Sequence, residues 1–402
     1  MKGIPGENIV CFAKDWSEDP TSCNHVMRAL SRDNRVLWLN SVCARRPDFG
    51  SGKDLRKIGN KLLSFFKGPR EVERNLWVHT PLVLPFPYTR AAVAVNRWIL
   101  RATVAILRRC LGMGDFQLWT FLPTTASYVG GMGESLAVYY CTDEWSGFKH
   151  LDREPVAAME EALCAKSDVV FTTSRPLLEG KAAYNKETHL ASHGVDHAHF
   201  ASALDPGTPA AEDLDGLPRP IVGFFGLIES WIDLSLLAHL AERRPEWSIV
   251  LVGKTAVDVS SLRQFPNVHL LGRRPYRELP RYARAFDVAV CPFVSNELTR
   301  NINPIKLLEY LSAGLPVVAS GIPEAAAYPG SCQLVHGPEE FLAACERALR
   351  DDSPELRRKR SDAMRQETWE RKAGESLQIA LRVKAARLGD GKAPEWARRR
   401  SA

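Results

Sequence analysis

No two of the nine cysteines stand in C-x-x-C spacing, and their number is odd. This argues against a disulfide framework and a thiolate metal site, and a reducing cytosol is the simpler setting. No apolar run reaches the roughly 18 residues that would cross a bilayer. The first residues, Met1 to Asn8, are polar and hold Pro5 and Gly6, so they do not read as a signal peptide. Recognition motifs for nucleic acid are also missing. The charge excess is small: a formal net charge of +6 over 402 residues suits an anionic substrate or surface but requires neither. The rest is ordinary globular composition, 45% hydrophobic and 25% charged. The length calls for two domains rather than one core.

Short apolar runs alternate with helical patterns along the whole chain. The expected strands are Ile9–Ala13, Val36–Asn40, Leu76–Thr80, Gln117–Phe121, Ala137–Cys141 and Val169–Thr173 in the first half. In the second they are Ile221–Phe225, Ser248–Val252, Val268–Leu271, Val288–Pro292 and Pro316–Ala319. Many are continuously apolar, as strands covered on both faces are. Strand, helix and strand in repetition predict an α/β fold with doubly wound parallel sheets. Pro206, Gly207, Pro209, Gly216, Pro218 and Pro220, with acidic neighbours, read as an exposed linker. The expected division is therefore a domain over 1–200, a linker over 201–219, a second domain over 220–372, and a C-terminal helix and basic tail over 373–402, frayed from about Lys384.

The richest stretch runs from Asn303 to Ser320, NPIKLLEYLSAGLPVVAS. Asn303 suits an N-cap and Pro304 the first helical position. Free amides at a helix start attract phosphate, and Lys306 adds a full positive charge there. Glu309, three residues on, shares that helix face, and an ionised carboxylate can accept from both hydroxyls of a ribose. Read without context, the same residues are an amphipathic helix with a surface Lys–Glu pair.

This stretch resembles the donor-site motif of GT-B glycosyltransferases, particularly the large bacterial group related to family 4, which often reads P-x-K-x-x-E-Y-L-A-x-G-x-P-V-V. Other segments are similar in the same order. Ser192 to Phe200 resembles an interdomain N-G-V-D-x-x-x-F. Gly223 to Gly226 with Glu229 to Asp233 resembles the first strand and loop of the donor domain, and Leu271 to Leu279 a G-x-x-x-x-x-E-L segment. The likeness is good over about 190–330 and looser before it. It implies two Rossmann-like domains facing a cleft. It also implies a sugar moved from a nucleotide diphosphate, with UDP expected, to a glycan or lipid-linked acceptor in polysaccharide or glycoconjugate biosynthesis. The nucleotide sugar is a co-substrate, and no metal or other cofactor is expected.

Two departures stand out. Retaining members often carry two glutamates seven residues apart; here Asn301 stands at the first position and Glu309 at the second. The loop after the first donor-domain strand offers Ile228, Glu229 and Ser230 where relatives often carry Arg and Lys. Inversion is therefore favoured, and Lys306 with the helix start must hold the diphosphate, helped by Arg273, Arg274 or Arg300. The P-x-K arrangement is also similar to that of the xanthan glucuronosyltransferase, an inverting GT-B enzyme. The expected donor-binding set is Gly226, Arg273, Asn303, Lys306 and Glu309.

An inverting transfer needs a base near the acceptor hydroxyl. Val138 to Trp145 runs from an apolar strand straight into Asp143 and Glu144. Relatives show a similar Y-x-x-x-D-x-W-x-x-F, matched here by Tyr140, Asp143, Trp145 and Phe148 apart from spacing. Asp143 is the expected base and Glu144 the second choice; capping of a following helix is the alternative for Asp143. Asp15 and Trp16, after the first strand, are expected to meet the acceptor, with Thr21, Ser22 and Asn24 as turn and cap residues. His193 reads as a turn support, and His197 and His199 lack a third ligand. Residues 56–68 and 91–113 are basic and amphipathic, which suits peripheral association with the inner face of the cell membrane. For 91–113 the alternative is a core helix with a solvated basic stripe. A nucleotide-sugar 2-epimerase and a non-catalytic nucleotide-sugar-binding protein stand as alternatives on the same fold.

Overall fold

A computed structural model describes residues 6–40, 64–86, 89–148 and 151–389, with side chains to 387. The chain divides into two compact units, 1–192 with 370–402 and 193–369. Each carries one sheet.

In the first unit the described strands are β1 (Asn8–Phe12), β2 (Arg35–Leu39), β3 (Arg70–Glu73), β4 (Leu76–His79), β5 (Gln117–Thr120), β6 (Leu136–Cys141), β7 (Val169–Thr172) and β8 (Thr188–Leu190). Their order is β3-β4-β2-β1-β5-β6-β7-β8. All neighbours are parallel except β3, which runs antiparallel to β4. Strand order reverses between β1 and β5, which makes a crevice beyond their carboxyl ends. Helix Arg90–Cys110 covers one face through Leu100, Val104 and Leu107, which pack with Val10, Phe12 and Leu39.

In the second unit the strands are β9 (Ile221–Phe225), β10 (Ser248–Val252), β11 (Val268–Gly272), β12 (Val288–Pro292), β13 (Val317–Ser320) and β14 (Cys332–Leu334). They run parallel in the order β11-β10-β9-β12-β13-β14. Here the order reverses between β9 and β12. The fold is thus α/β and doubly wound in both units. Three strands escape the sequence pattern, β3, β8 and β14, and each lies at a sheet edge. Edge strands need fewer apolar residues, so REVE, THL and CQL carry little signal.

Two boundaries differ from expectation. Residues 201–219 are not a free linker but part of the second unit, with Ala203, Ala211 and Leu214 buried in its core. Their acidic residues look solvent-directed in sequence, yet Asp213 pairs with Arg274 at 2.8 Å and Glu212 with Arg281 at 3.3 Å. Helix Trp369–Gly389 returns to the first unit from Glu370 onward. The fraying expected from Lys384 does not occur through 389, because Lys384 bridges Glu7 at 3.0 Å and Asp115 at 3.1 Å, and Arg387 pairs with Asp168. The tail beyond 389 and residues 56–63 of the basic segment lie outside the described residues.

Candidate donor and base sites

The second unit builds its site at the switch between β9 and β12. Gly226 directly follows β9, and its φ of 154° is open to glycine. Gly253 directly follows β10, with φ 157°. A Cβ on Gly253 would fall 1.7 Å from the Gly226 carbonyl oxygen, so the two strand ends touch backbone to backbone. Gly272 and Gly321 follow the same plan at the ends of β11 and β13. Strand–Gly four times over leaves a low floor at the carboxyl edge, where a ligand can approach main chain. The sequence pattern pointed to Gly226; the repetition through Gly253, Gly272 and Gly321 is a signal it left unused.

Helix Ile305–Ser312 stands on that floor. Its start is one residue later than expected: Pro304 is the N-cap, with an extended ψ of 114°, and its carbonyl accepts from Leu307 N at 3.1 Å. Asn303, half-buried, therefore precedes the cap instead of forming it. Tyr310 ties the helix to β9, because its hydroxyl accepts from Phe225 N at 2.8 Å. A Cβ on Gly226 would lie 3.5 Å from Lys306 Cε, so the two sides of the switch meet at these residues. Lys306 Nζ sits 5.4 Å from the centre of the Phe225 ring and 2.9 Å from Glu309 Oε2. Glu309 is buried, its side chain only 3% exposed. The pair is thus no surface ornament. A carboxylate out of water is held by one lysine that itself faces the strand ends.

The other cations are arranged differently. Arg274 is committed to Asp213 and to the Tyr282 hydroxyl at 2.8 Å. Arg273 and Arg300 are exposed, as is Lys254 immediately after Gly253. Asn301 caps the C-terminal end of the short helix Glu297–Arg300 and donates to the Glu297 carbonyl at 2.7 Å. Asp233 caps helix Leu234–Arg243, accepting from Ser235 N and Leu236 N.

In the first unit, Asp143 lies two residues past β6. The capping alternative fails: the cap position of the short turn Trp145–Gly147 is Glu144. Burial pushes the Asp143 carboxyl above the usual range; a hydrogen bond from Thr142 opposes this, and the charge of Glu160 adds to it. Behind it lies a buried network. Glu160 accepts from Tyr139 Oη at 2.5 Å and from Lys181 Nζ at 2.8 Å, and Lys181 also reaches Glu144 Oε2 at 3.2 Å. Burial alone would lower the Lys181 pKa, but Glu160, Cys141 and Glu144 hold it above its ordinary value. Glu144 is further occupied by Ser146 Oγ at 2.8 Å. Of the two carboxylates singled out, Glu144 is spent on a lysine and a serine, while Asp143 forms no ion pair among the described residues. The indole Nε1 of Trp145 and Thr172 Oγ1 at the end of β7 are buried with no partner among the described residues. Glu160 was missed in the sequence, although it occupies the stripe Val156, Glu160, Leu163, Cys164 that the helix Arg153–Lys166 buries.

Asp15 and Trp16 sit beyond β1, at the first unit's own switch. Trp16 N donates to Asn40 Oδ1 at 2.9 Å, its ring meets Trp38 edge-on at 5.0 Å, and Arg28 lies over it at 5.0 Å. Thr21 and Asn24 form the capping box of helix Ser22–Ser31. Burial drives His193 down to about 3, so it is neutral, and its ring packs 5.8 Å from Trp369. His197 and His199 spend Nε2 on the carbonyls of Ser361 and Tyr276.

Known proteins share this two-sheet fold. The family model described as glycosyl transferases group 1 matches residues 219–351. A protein named as a teichuronic acid biosynthesis glycosyltransferase, TuaH of Bacillus subtilis, is 28% identical over 253 residues. That match spans 58% of this chain and 63% of the relative's length. Among solved structures, sucrose-phosphate synthase from Thermosynechococcus elongatus superposes with a TM-score of 0.69 at 17% identity, over 95% of this chain and 100% of that one. A UDP-forming trehalose-phosphate synthase from Burkholderia vietnamiensis does so with 0.68 at 14% identity, over 96% and 98%. Residues 219–351 are thus similar to the glycosyl transferases group 1 family, and the chain has the GT-B fold.

Proposed function

We propose that the protein is a metal-independent glycosyltransferase that moves a sugar from a nucleotide diphosphate, UDP by preference, to a glycan or lipid-linked acceptor in polysaccharide or glycoconjugate synthesis. The observation that carries this is the meeting of Gly226 and Lys306 at the β9/β12 switch, with buried Glu309 behind the lysine. The relative named for teichuronic acid biosynthesis and the UDP-forming neighbour support the polymer and the nucleotide.

Without donor, Lys306 and Glu309 neutralise each other. A diphosphate arriving over the glycine floor competes for the Lys306 ammonium, assisted by the amides of Ile305 and Lys306 and by Arg273 or Lys254. Asn303 stands beside these amides. Glu309 then has lone pairs for the ribose diol. The acceptor hydroxyl gives its proton to Asp143. Its oxygen forms a bond to the anomeric carbon as the carbon–phosphate-oxygen bond breaks, and the nucleoside diphosphate leaves with the electron pair. A raised carboxyl pKa makes Asp143 a better base than an exposed aspartate. One displacement of this kind inverts the anomeric centre. Asp15 and Trp16 hold the acceptor, and the enzyme works at the inner face of the cell membrane as a peripheral protein.

Calorimetry with UDP and UDP-sugars tests the donor half. Wild type should bind, and Lys306→Ala and Glu309→Ala should each weaken binding. If both variants bind UDP as wild type does, the reading is wrong. The epimerase and the non-catalytic alternatives gain no observation of their own.

A further inference from the structure

Helix Arg90–Cys110 has two apolar faces. One is buried through Leu100, Val104 and Leu107. The other points outward and is also apolar: Val95 is 45% exposed, Trp98 73% and Ile106 59%. Their spacing of three and then eight residues puts them on one stripe, which Ala91, Ala102 and Ala105 fill. A surface helix normally turns charge and amide to water there. The preceding strap adds Leu84, 40% exposed, and Phe86, 38% exposed. It is pinned to the helix by Asn96, fully buried, which accepts from Leu84 N at 2.7 Å and donates to Leu84 O at 2.9 Å. Strap and helix therefore form one surface.

The charges along this segment of the chain have one sign. No Asp or Glu occurs between Glu73 and Asp115, while Arg90, Arg97, Arg101, Arg108 and Arg109 all fall in the helix. Arg97 and Arg108 are spent on the carbonyls of Ser127 and Gly114. Arg101 and Arg109 are exposed and meet no carboxylate among the described residues. A second copy of such a face would bring arginine against arginine, which disfavours self-association through it. We infer that this surface docks the protein on a bilayer with anionic headgroups, Trp98, Val95 and Ile106 entering the interface and Arg101 and Arg109 meeting the phosphates. Tryptophan suits that boundary because its ring is apolar and its N–H is polar. The inference rests on the transferase reading for its purpose, since a docked enzyme reaches acceptors held at the membrane. Its geometry is independent of the donor site.

The test is flotation of the whole protein with vesicles of phosphatidylglycerol and phosphatidylcholine, beside vesicles of phosphatidylcholine alone, with UDP affinity measured in parallel. Wild type should float with the anionic vesicles, weakly with the neutral ones, and be released by salt. Trp98→Ser with Ile106→Ser should lower vesicle affinity at least tenfold. Arg101→Gln with Arg109→Gln should lower it about 25-fold on anionic vesicles only, about fivefold for each arginine. All positions are exposed, so melting temperature and UDP affinity should stay at wild-type values. Absence of wild-type flotation, or variants that float like wild type, overturns the proposal. So does concentration-dependent self-association that Trp98→Ser abolishes, because the face would then be an interface between copies. Loss of UDP binding in wild type with the flotation pattern intact would sink the transferase reading and leave the surface standing.

Discussion

The two units place their candidate sites beyond the carboxyl ends of a parallel sheet but build them from opposite materials. In the second unit the site is mostly main chain. Gly226 and Gly253 touch, a helix stands over them, and one lysine supplies the charge. In the first unit the site is mostly buried side-chain charge: Glu160, Lys181 and Glu144 form a closed network beside Asp143. A nucleotide diphosphate carries its own charge and needs amides and one cation. A proton acceptor needs a tuned pKa, and that takes burial with fixed charges nearby. The difference predicts that the second unit tolerates charge changes better than backbone changes, and the first the reverse.

The sharpest break in that comparison is Asp143→Asn. Loss of a positioned base should lower kcat about 10²- to 10⁴-fold, with UDP affinity unchanged. The same change should raise stability at neutral pH. The folded protein holds the Asp143 proton more tightly than the unfolded chain does, so stability falls as pH rises through the raised folded pKa; asparagine removes that fall. Activity should rise with pH over that same window in wild type, above the usual carboxylate range. Melting curves against pH and a kcat/KM profile check both. An asparagine variant that is less active and also less stable at neutral pH would mark Asp143 as a structural residue.

Lys181→Met asks whether charge or backbone carries the first unit. It leaves Glu160 buried without its cation, and stability should fall by about 3–5 kcal/mol in denaturant melts. Glu144, partly reachable by water, should then be free. If activity per folded molecule survives in Glu144→Gln, the assignment of the base to Asp143 gains; a collapse of kcat in Glu144→Gln would transfer the role.

Much of this was legible in the residues and some was not, for physical reasons. The central strands announced themselves because a strand covered on both faces must be apolar throughout. β3, β8 and β14 did not, because an edge strand is covered less. Residues 201–219 read as linker because proline, glycine and acid mark solvent; their acids turn out to face Arg274 and Arg281, partners 61 and 69 residues away that no local pattern shows. Lys306 and Glu309 stood out as a candidate phosphate and ribose pair. Their mutual ion pair and the burial of Glu309 came only with the strands around them. Glu160 was visible in principle, as a charge on an apolar stripe.

Gly253→Ala tests the backbone side of the comparison. The new methyl would fall against the Gly226 carbonyl, at a φ that alanine avoids. Strain and overpacking together should cost about 3 kcal/mol, a drop of roughly 6–12 °C in melting temperature for a unit of this size. Gly272→Ala has open space around its Cβ and should cost less, about 1 kcal/mol from φ alone. Equal effects at the two glycines would mean the strand ends do not touch as described.

Lys306→Ala should have the smallest effect on folding and a clear one on binding. Its side chain is 29% exposed, so water can replace it beside Glu309 more readily than at Lys181, whose side chain is 11% exposed. Loss of one charge-assisted contact to a diphosphate corresponds to about 1.5–3 kcal/mol, or roughly 10- to 150-fold in UDP affinity. Lys306→Arg separates charge from shape. The planar guanidinium cannot keep a point contact with Glu309 and reach the same phosphate over the Phe225 ring, so it should restore only part of the affinity. Full rescue by arginine would show that any cation above the glycine floor suffices, and that the second unit selects its donor by main chain alone.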